Sequence, residues 1–395
     1  MIRSTLNIGL QQVARRSYSS AAAAAPSAAA APLEEVLFEQ KGKCLNVLLN
    51  RPKALNALSA KMVHLLTPRY TEIHSTCKDG DLAIVMKGAG EKAFCAGGDI
   101  RAIYDGCNPT ARKTLSPEQQ LEAGDKFFRE EYQLNHLIYT SPVPQVSIYN
   151  GFTMGGGVGL SIHGKFKVAT ESTQFAMPET GIGFFCDVGG SHFLPRLPYH
   201  MGMYLGLTGA KLKGIDNLIS GVTTHYITND KIGKVQDALE SLSVPSEKNV
   251  RGTLDSYSQK VPSNLDGTIA TKFDAIHRIF GKDSVERIIE ELKKDGSDWA
   301  KQTIATLQTM SPTSLKVVHR QLLNGAKLDM AECLKMEFRM SQQFVEQHDF
   351  FEGVRALLVD KDKNPQWKPS NLSQVTDSMI SKYFDHLPKD RELNL

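Results

Sequence analysis

Short apolar runs, each closed by glycine or polar punctuation and separated by stretches of helical period, constrain this chain more than any other feature. Leu45–Leu49 (LNVLL) and Leu82–Met86 (LAIVM) read as buried strands. A helix begins between them after Ser59, and Pro68 is expected to kink or restart it. Residues 117–138 carry a longer helical pattern with Phe127, Phe128, Tyr132, Leu134, Leu137 and Ile138 broadly on one side. Ser141-Pro-Val-Pro then forces an extended approach to a strand at Gln145–Tyr149, a turn leads from NGFTMGGGVGLSIHG into a helix, and a strand follows at Phe166–Ala169. That alternation implies an α/β fold. Beyond about residue 225 long charged amphipathic stretches, such as Asp283–Lys294 and Ser314–Gly325, indicate a helical C-terminal region. The expected organisation is residues 1–32 as leader and linker, 33–225 as the α/β core and 226–395 as the helical region.

The leader is set apart by composition. Arg3, Arg15 and Arg16 are its only charges, Ser and Ala dominate, and the first acid in the chain is Glu34. Leu6, Ile8, Leu10 and Val13 make no secretory apolar run, and Arg16-Ser-Tyr-Ser19 resembles a mitochondrial processing site, so mitochondrial (matrix) targeting is expected. The stretch Ala21–Ala31 reads as linker or leader. Without the leader, 43 basic residues face 43 acidic ones, which leaves no ground for nucleic-acid binding. No run of about 18 apolar residues is present, so no membrane-spanning helix is expected. The six cysteines lie far apart with no Cys-x-x-Cys pair, and the eleven histidines show no ligand spacing, so neither a disulfide scaffold nor a metal site is expected.

Two glycine clusters follow predicted strands: Ala96-Gly97-Gly98-Asp99 and Gly155-Gly156-Gly157. Glycine lets a backbone approach a ligand closely with its amide unobstructed, and two such amides can cradle one developing oxyanion. The nucleotide-binding alternatives fail. A P-loop would need a hydroxyl at Phe166, a dinucleotide fingerprint would need glycine at Leu160, and a nucleophile elbow at Ser161 would need glycine at His163. Ser161 and His163 therefore read as packing and surface residues. A third stretch, MPETGIGFFCDVGG (177–190), sets Glu179 and Asp187 eight residues apart among apolar neighbours that offer no cation.

FCAGGDIRAIYD (94–105), NGFTMGGGVGLSIHG (150–164) and MPETGIGFFCDVGGSHFLPRL (177–197) resemble the crotonase, or enoyl-CoA hydratase/isomerase, superfamily. The resemblance extends from about Leu33 through LNRPKALNAL (49–58), FFREEY (127–132) and FEGVRALLVDKDKNPQWKP (351–369), the latter two pointing to the branch that hydrolyses 3-hydroxyisobutyryl-CoA. It implies a crotonase-like spiral of strand-strand-helix turns with a helical C-terminal region. It further implies an oxyanion hole from the Gly98 and Gly156 amides, catalysis by Glu179 and Asp187, and acyl-CoA contacts from Glu131, Gly156, Glu179, Asp187, Ala54, Leu55 and Ala96.

The same resemblance separates hydrolysis from hydration. Hydratases carry a first glutamate two residues after the triple glycine, and here that position is Gly159, which is expected to leave open space beside the acyl group. Glu179 could attack the thioester carbonyl or activate a water, with Asp187 orienting that water or managing its proton. The sequence leaves both routes open. Where the hydrolase branch commonly has proline before the aspartate, this chain has Cys186, which is expected to loosen the turn and to act only as a small apolar filler. Glu131 binds the acyl hydroxyl on this resemblance, whereas its neighbours Arg129 and Glu130 taken alone suggest a solvated helix face. The expected activity is hydrolysis of 3-hydroxyisobutyryl-CoA in valine breakdown, with 3-hydroxypropionyl-CoA as a second substrate and no cofactor, CoA being part of the substrate. The alternatives are a hydratase or isomerase, and a structural component of the mitochondrial ribosomal small subunit. Homo-oligomerisation and ribosome association stay open at this stage.

Overall fold

The computed structural model describes residues 34–107 and 117–395, with side chains from residue 124 in the helix Pro117–Tyr139. The proposed leader and its linker lie outside the described residues. Among the described residues ten strands build two sheets: β1 (Val36–Lys41), β2 (Cys44–Leu49), β3 (Ala83–Gly88), β4 (Ala93–Cys95), β5 (Gln145–Tyr149), β6 (Phe152–Met154), β7 (Phe166–Ala169), β8 (Gln174–Ala176), β9 (Leu212–Lys213) and β10 (His225–Tyr226). The larger sheet runs β1-β2-β3-β5-β7-β10, antiparallel only between β1 and β2, and the smaller runs β4-β6-β8-β9, antiparallel only between β8 and β9.

Connectivity explains the site. In three successive turns of chain the first strand (β3, β5, β7) joins the larger sheet and the second (β4, β6, β8) joins the smaller, after which the chain enters a helix or 3-10 turn. The parallel neighbours β4, β6 and β8 therefore deliver three segments side by side beyond their carboxyl ends. Met154 pairs with Ala176 and Thr153 with Cys95. Gly98, Gly156 and Glu179 then follow within two or three residues of those ends. This is the location where parallel sheets place ligands.

The apolar runs are continuous because both faces of the larger sheet are covered. Along β3, Ile84 and Met86 enter the main core, while Ala83 and Val85 face a second core with Val235 and Leu239 of the helix Ile232–Glu240 and Val250 and Leu254 of the helix Glu247–Tyr257. After β10 the described chain has helices and turns only, and Glu34–Leu395 forms one compact unit.

One local expectation is corrected. Pro68 does not restart its helix, which runs unbroken from Ala60 to Thr76 with the Ser59 hydroxyl capping the Met62 amide. Pro68 and His64 are both exposed, so the His64 carbonyl that the missing N–H leaves free can turn to water.

Candidate active site

Two glycine amides come together at the ends of β4 and β6. Gly97 has φ +126° and Gly155 φ +43°, backbone states that favour glycine, and they turn the chain so that Gly98 N and Gly156 lie against each other. A Cβ at Gly156 would stand 3.0 Å from Gly98 N and 2.8 Å from Glu131 Oε1, so neither the amide nor the carboxyl tolerates a side chain there. Gly156 opens a short helix, where the first amides have no intrahelical acceptor. Gly98 N donates to no main-chain or side-chain acceptor among the described residues.

The carboxylates surround this pair. Glu179 starts the 3-10 turn Glu179–Ile182 after β8, is 6% exposed, and leaves Oε2 without a hydrogen-bond partner. Its Oε1 lies 3.2 Å from where a Cβ at Gly155 would be. Burial, then the charge of Asp187, pushes its carboxyl well above the ordinary value. Asp187, also 6% exposed, accepts a hydrogen bond from the Tyr132 hydroxyl at 3.0 Å. Burial lifts it to about 7, with the Tyr132 bond acting against the rise. Glu131 is 2% exposed with Oε1 unpartnered, and it too is raised well above its usual range, by burial first and then by Asp187 and Glu337. The solvated-face alternative for Glu131 therefore does not hold. It projects inward from the helix Pro117–Tyr139, whose Arg129 and Glu130 remain partly exposed.

The turn carrying Asp187 is held from three distant places. Gln321 Nε2 donates to the Cys186 carbonyl at 2.6 Å and to Ser191 Oγ at 2.8 Å. His163 Nε2 donates to the Val188 carbonyl at 2.7 Å, and burial lowers its pKa to about 3, so the ring is neutral. Glu337, from the helix Met330–Phe344, accepts the Gly189 amide at 2.7 Å and the Ser191 amide at 2.8 Å. The looseness expected from Cys186 is therefore absent: side-chain hydrogen bonds restrain the turn where proline would have restrained its backbone. Cys186 itself is fully buried, with burial and then the Glu179 charge raising its thiol well above normal, and it packs near Gly206 and Gly190 as a filler.

Position 159 also departs from expectation. It is not open: a Cβ there would lie 2.7 Å from Val188 Cβ and 2.9 Å from Asn135 Nδ2. The residue after Asp187 and a buried amide fill the volume that an acidic side chain would need.

Exposed Ala54 and half-buried Leu55 and Ala96 form a rim beside Gly97 and Gly98. Ala54 ends the 3-10 turn Pro52–Ala54, and the Leu55 carbonyl accepts the Ala96 amide at 3.1 Å. Buried Asn56 shapes this rim by donating to the Ala89 and Ala93 carbonyls at 2.9 and 2.8 Å and accepting the Arg51 amide at 3.0 Å.

Tyr132, Asn135, His163, Gln321 and Glu337 belong to the site or its support and were not singled out for it from sequence. Glu337 carried a readable signal: with Met330, Leu334, Ser341 and Phe344 it falls at spacings of four, three, four and three on one buried helix face, where an acid is anomalous. Among the described residues no three His, Cys, Asp or Glu side chains converge as a metal site.

Residues 44–384 match the sequence profile of the enoyl-CoA hydratase/isomerase family. A Dictyostelium discoideum protein named 3-hydroxyisobutyryl-CoA hydrolase, mitochondrial, is 58% identical over 365 residues, 91% of this chain and 94% of that one. A Danio rerio protein of the same name is 49% identical over 366 residues, 91% and 92% of the two chains. Among solved structures, a carnitinyl-CoA dehydratase from Mycobacterium thermoresistibile superposes with TM-score 0.80 at 34% identity, covering 92% of this chain and 99% of its own.

Proposed function

The chain belongs to the enoyl-CoA hydratase/isomerase family, and from that premise we propose that it hydrolyses the thioester of 3-hydroxyisobutyryl-CoA to CoA and 3-hydroxyisobutyrate. The observation that carries this reading over hydration is position 159, where Val188 and Asn135 occupy the volume of a second catalytic acid. The names of its close relatives point the same way.

In this reading the thioester carbonyl oxygen lies between the Gly98 and Gly156 amides, which stabilise the charge that develops when the carbonyl carbon becomes tetrahedral. Glu179 then acts from its buried position. It either adds to the carbonyl carbon, expelling the CoA thiolate and leaving a mixed anhydride for water to cleave, or takes a proton from a water that adds instead. Its raised pKa makes it a stronger base than an exposed glutamate once ionised. Asp187, held by Tyr132, exchanges protons with water or the leaving thiolate near neutrality. Rapid-quench mass spectrometry distinguishes the routes, since only the first leaves an acyl adduct on Glu179. Ala54, Leu55 and Ala96 receive the CoA moiety at the rim, and no metal or redox cofactor takes part.

The mitochondrial naming of relatives, together with the basic, acid-free leader, supports a matrix location. Among the described residues no helix is long and apolar enough to cross a membrane. The test of the activity is free-thiol release from purified protein given 3-hydroxyisobutyryl-CoA. Loss of enoyl absorbance from an enoyl-CoA without thiol release would instead identify a hydratase.

A further inference from the structure

Buried polar atoms without partners are few in folded proteins, and each one asks for an explanation. Four of them, Glu131 Oε1, Glu179 Oε2 and both Nδ2 and Oδ1 of Asn135, belong to residues that lie against Gly155, Gly156 and Gly159. Glu179 Oε2 is accounted for by water or the acyl carbon. The Asn135 side chain has no such account: it is fully buried, its amide makes no hydrogen bond, and it takes no part in holding the Asp187 turn.

Its position follows from two helical segments lying alongside each other. Glu131 and Asn135 are one turn apart on the helix Pro117–Tyr139 and point to the same side. Gly156 and Gly159 are likewise three residues apart on the short helix Gly156–Gly159. Glu131 meets the Cβ position of Gly156, and Asn135 meets that of Gly159. The second pair of contacts thus stands roughly 4.5 Å along the short helix from the oxyanion donor at Gly156. In a 3-hydroxyacyl thioester the hydroxyl oxygen lies up to about 3.7 Å from the carbonyl carbon, three single bonds of roughly 1.5 Å away. The reach of the acyl hydroxyl from a carbonyl anchored at Gly156 is thus comparable with the separation between the Gly156 and Asn135 contacts.

On the strength of these contacts, and resting on the hydrolase reading above, we infer that Asn135 is a specificity residue that hydrogen-bonds the 3-hydroxyl of the acyl group. The amide offers a donor and an acceptor to a group that is both. A thioester without the hydroxyl leaves that buried amide unpaired, which is how a polar site rejects a closely related apolar substrate. Glu131, one turn away, has its carboxyl raised well above the ordinary value by burial, which favours the protonated form that donates a hydrogen bond.

The experiment compares kcat/KM for 3-hydroxyisobutyryl-CoA and isobutyryl-CoA in wild type, Asn135→Leu and Asn135→Ser, with the melting temperature of each. Leucine has nearly the same size and removes both polar atoms. The ratio of the two kcat/KM values should fall roughly 10- to 100-fold in Asn135→Leu and be partly restored in Asn135→Ser, while the melting temperature holds or rises because an unpaired buried amide has been removed. A loss of the same factor on both thioesters, or a wild type with no preference between them, overturns the inference. A lowered melting temperature with an unchanged ratio assigns Asn135 a structural water instead and also overturns it. A wild type that releases no thiol from the hydroxyacyl thioester defeats the hydrolase reading itself, an outcome distinct from the others.

Discussion

Glu337→Gln tests how the buried acids share their protons. Glu337 is fully buried, 2.7 and 2.8 Å from the two amides it accepts, and burial raises its carboxyl from 4.5 to about 8, with Asp187 adding to the rise against those hydrogen bonds. An acid with a folded pKa above its unfolded value keeps its proton in the folded state after the unfolded chain has released it. Its contribution to stability is therefore fully present below the unfolded pKa and is lost as pH climbs through the folded one. For Glu337 that window runs from 4.5 to about 8. The wild type should lose on the order of 3 to 4 kcal/mol from this group between about pH 5 and about pH 8.

Glutamine cannot ionise and should remove that slope. It also turns an NH2 toward one of the two amides, which costs about 1 to 2 kcal/mol at low pH. The two stability curves should then cross: the variant less stable by about 1 to 2 kcal/mol near pH 5 and more stable by a similar amount near pH 8. Urea unfolding of both proteins, followed by circular dichroism at several pH values across that window, measures this directly. A constant offset at every pH would refute the reasoning, because it would mean that Glu337 is ionised throughout and that its two hydrogen bonds outweigh its burial.

Four other outcomes are expected. Glu179→Gln should lower kcat by about a thousandfold or more with the fold intact, and Asp187→Asn should also fall sharply; near-normal thiol release from both removes them from the chemistry. Tyr132→Phe deletes the hydrogen bond that lowers the Asp187 pKa, so the acid limb of the kcat/KM profile should move up by roughly one pH unit, and an unmoved limb would disconnect Asp187 from that limb. Gly159→Glu should suppress hydrolysis by about a hundredfold or more and lower the melting temperature, since the new Cβ displaces Val188 and with it Asp187; unchanged hydrolysis contradicts the packing at 159. Deleting residues 1–32 should leave thiol release intact and move a tagged protein from mitochondria to cytosol, a result checked by fractionation.

How much of this was readable from the chain depends on how local each cause is. The strands were legible because β3 and β5 are buried on both faces, which forces consecutive apolar residues. Glu179 and Asp187 stood out because no neighbouring residue could solvate or neutralise them. Pro68 misled because its penalty depends on whether the freed carbonyl is buried, a tertiary property. Glu131 was ambiguous for the same reason: Arg129 and Glu130 beside it are partly exposed, and only the packing of the helix decides that it turns inward. The support of Asp187 lay furthest out of reach. Its turn is anchored by Glu337 at a separation of 148 residues and by Gln321 at 135, and no local pattern encodes such pairings.

The spiral core and the helical region therefore make different contributions to one site. Three repeats of strand-strand-helix place an amide after β4, an amide after β6 and Glu179 after β8, so the repeat itself sets the oxyanion donors against the first carboxylate. Asp187 lies beyond the last repeat, on a turn where Val188 and Gly189 adopt positive φ of 53° and 84°. A non-glycine residue in that state is held by its surroundings. Those surroundings are His163, which donates to the Val188 carbonyl from within the core, and Gln321 and Glu337, on the helices Pro312–Gly325 and Met330–Phe344. The electrophile-binding half of the site is thus a property of the repeat, while the proton-handling half is shared: Tyr132 and His163 hold it from the core, and the helical region reaches back through Gln321 and Glu337 to restrain the same turn.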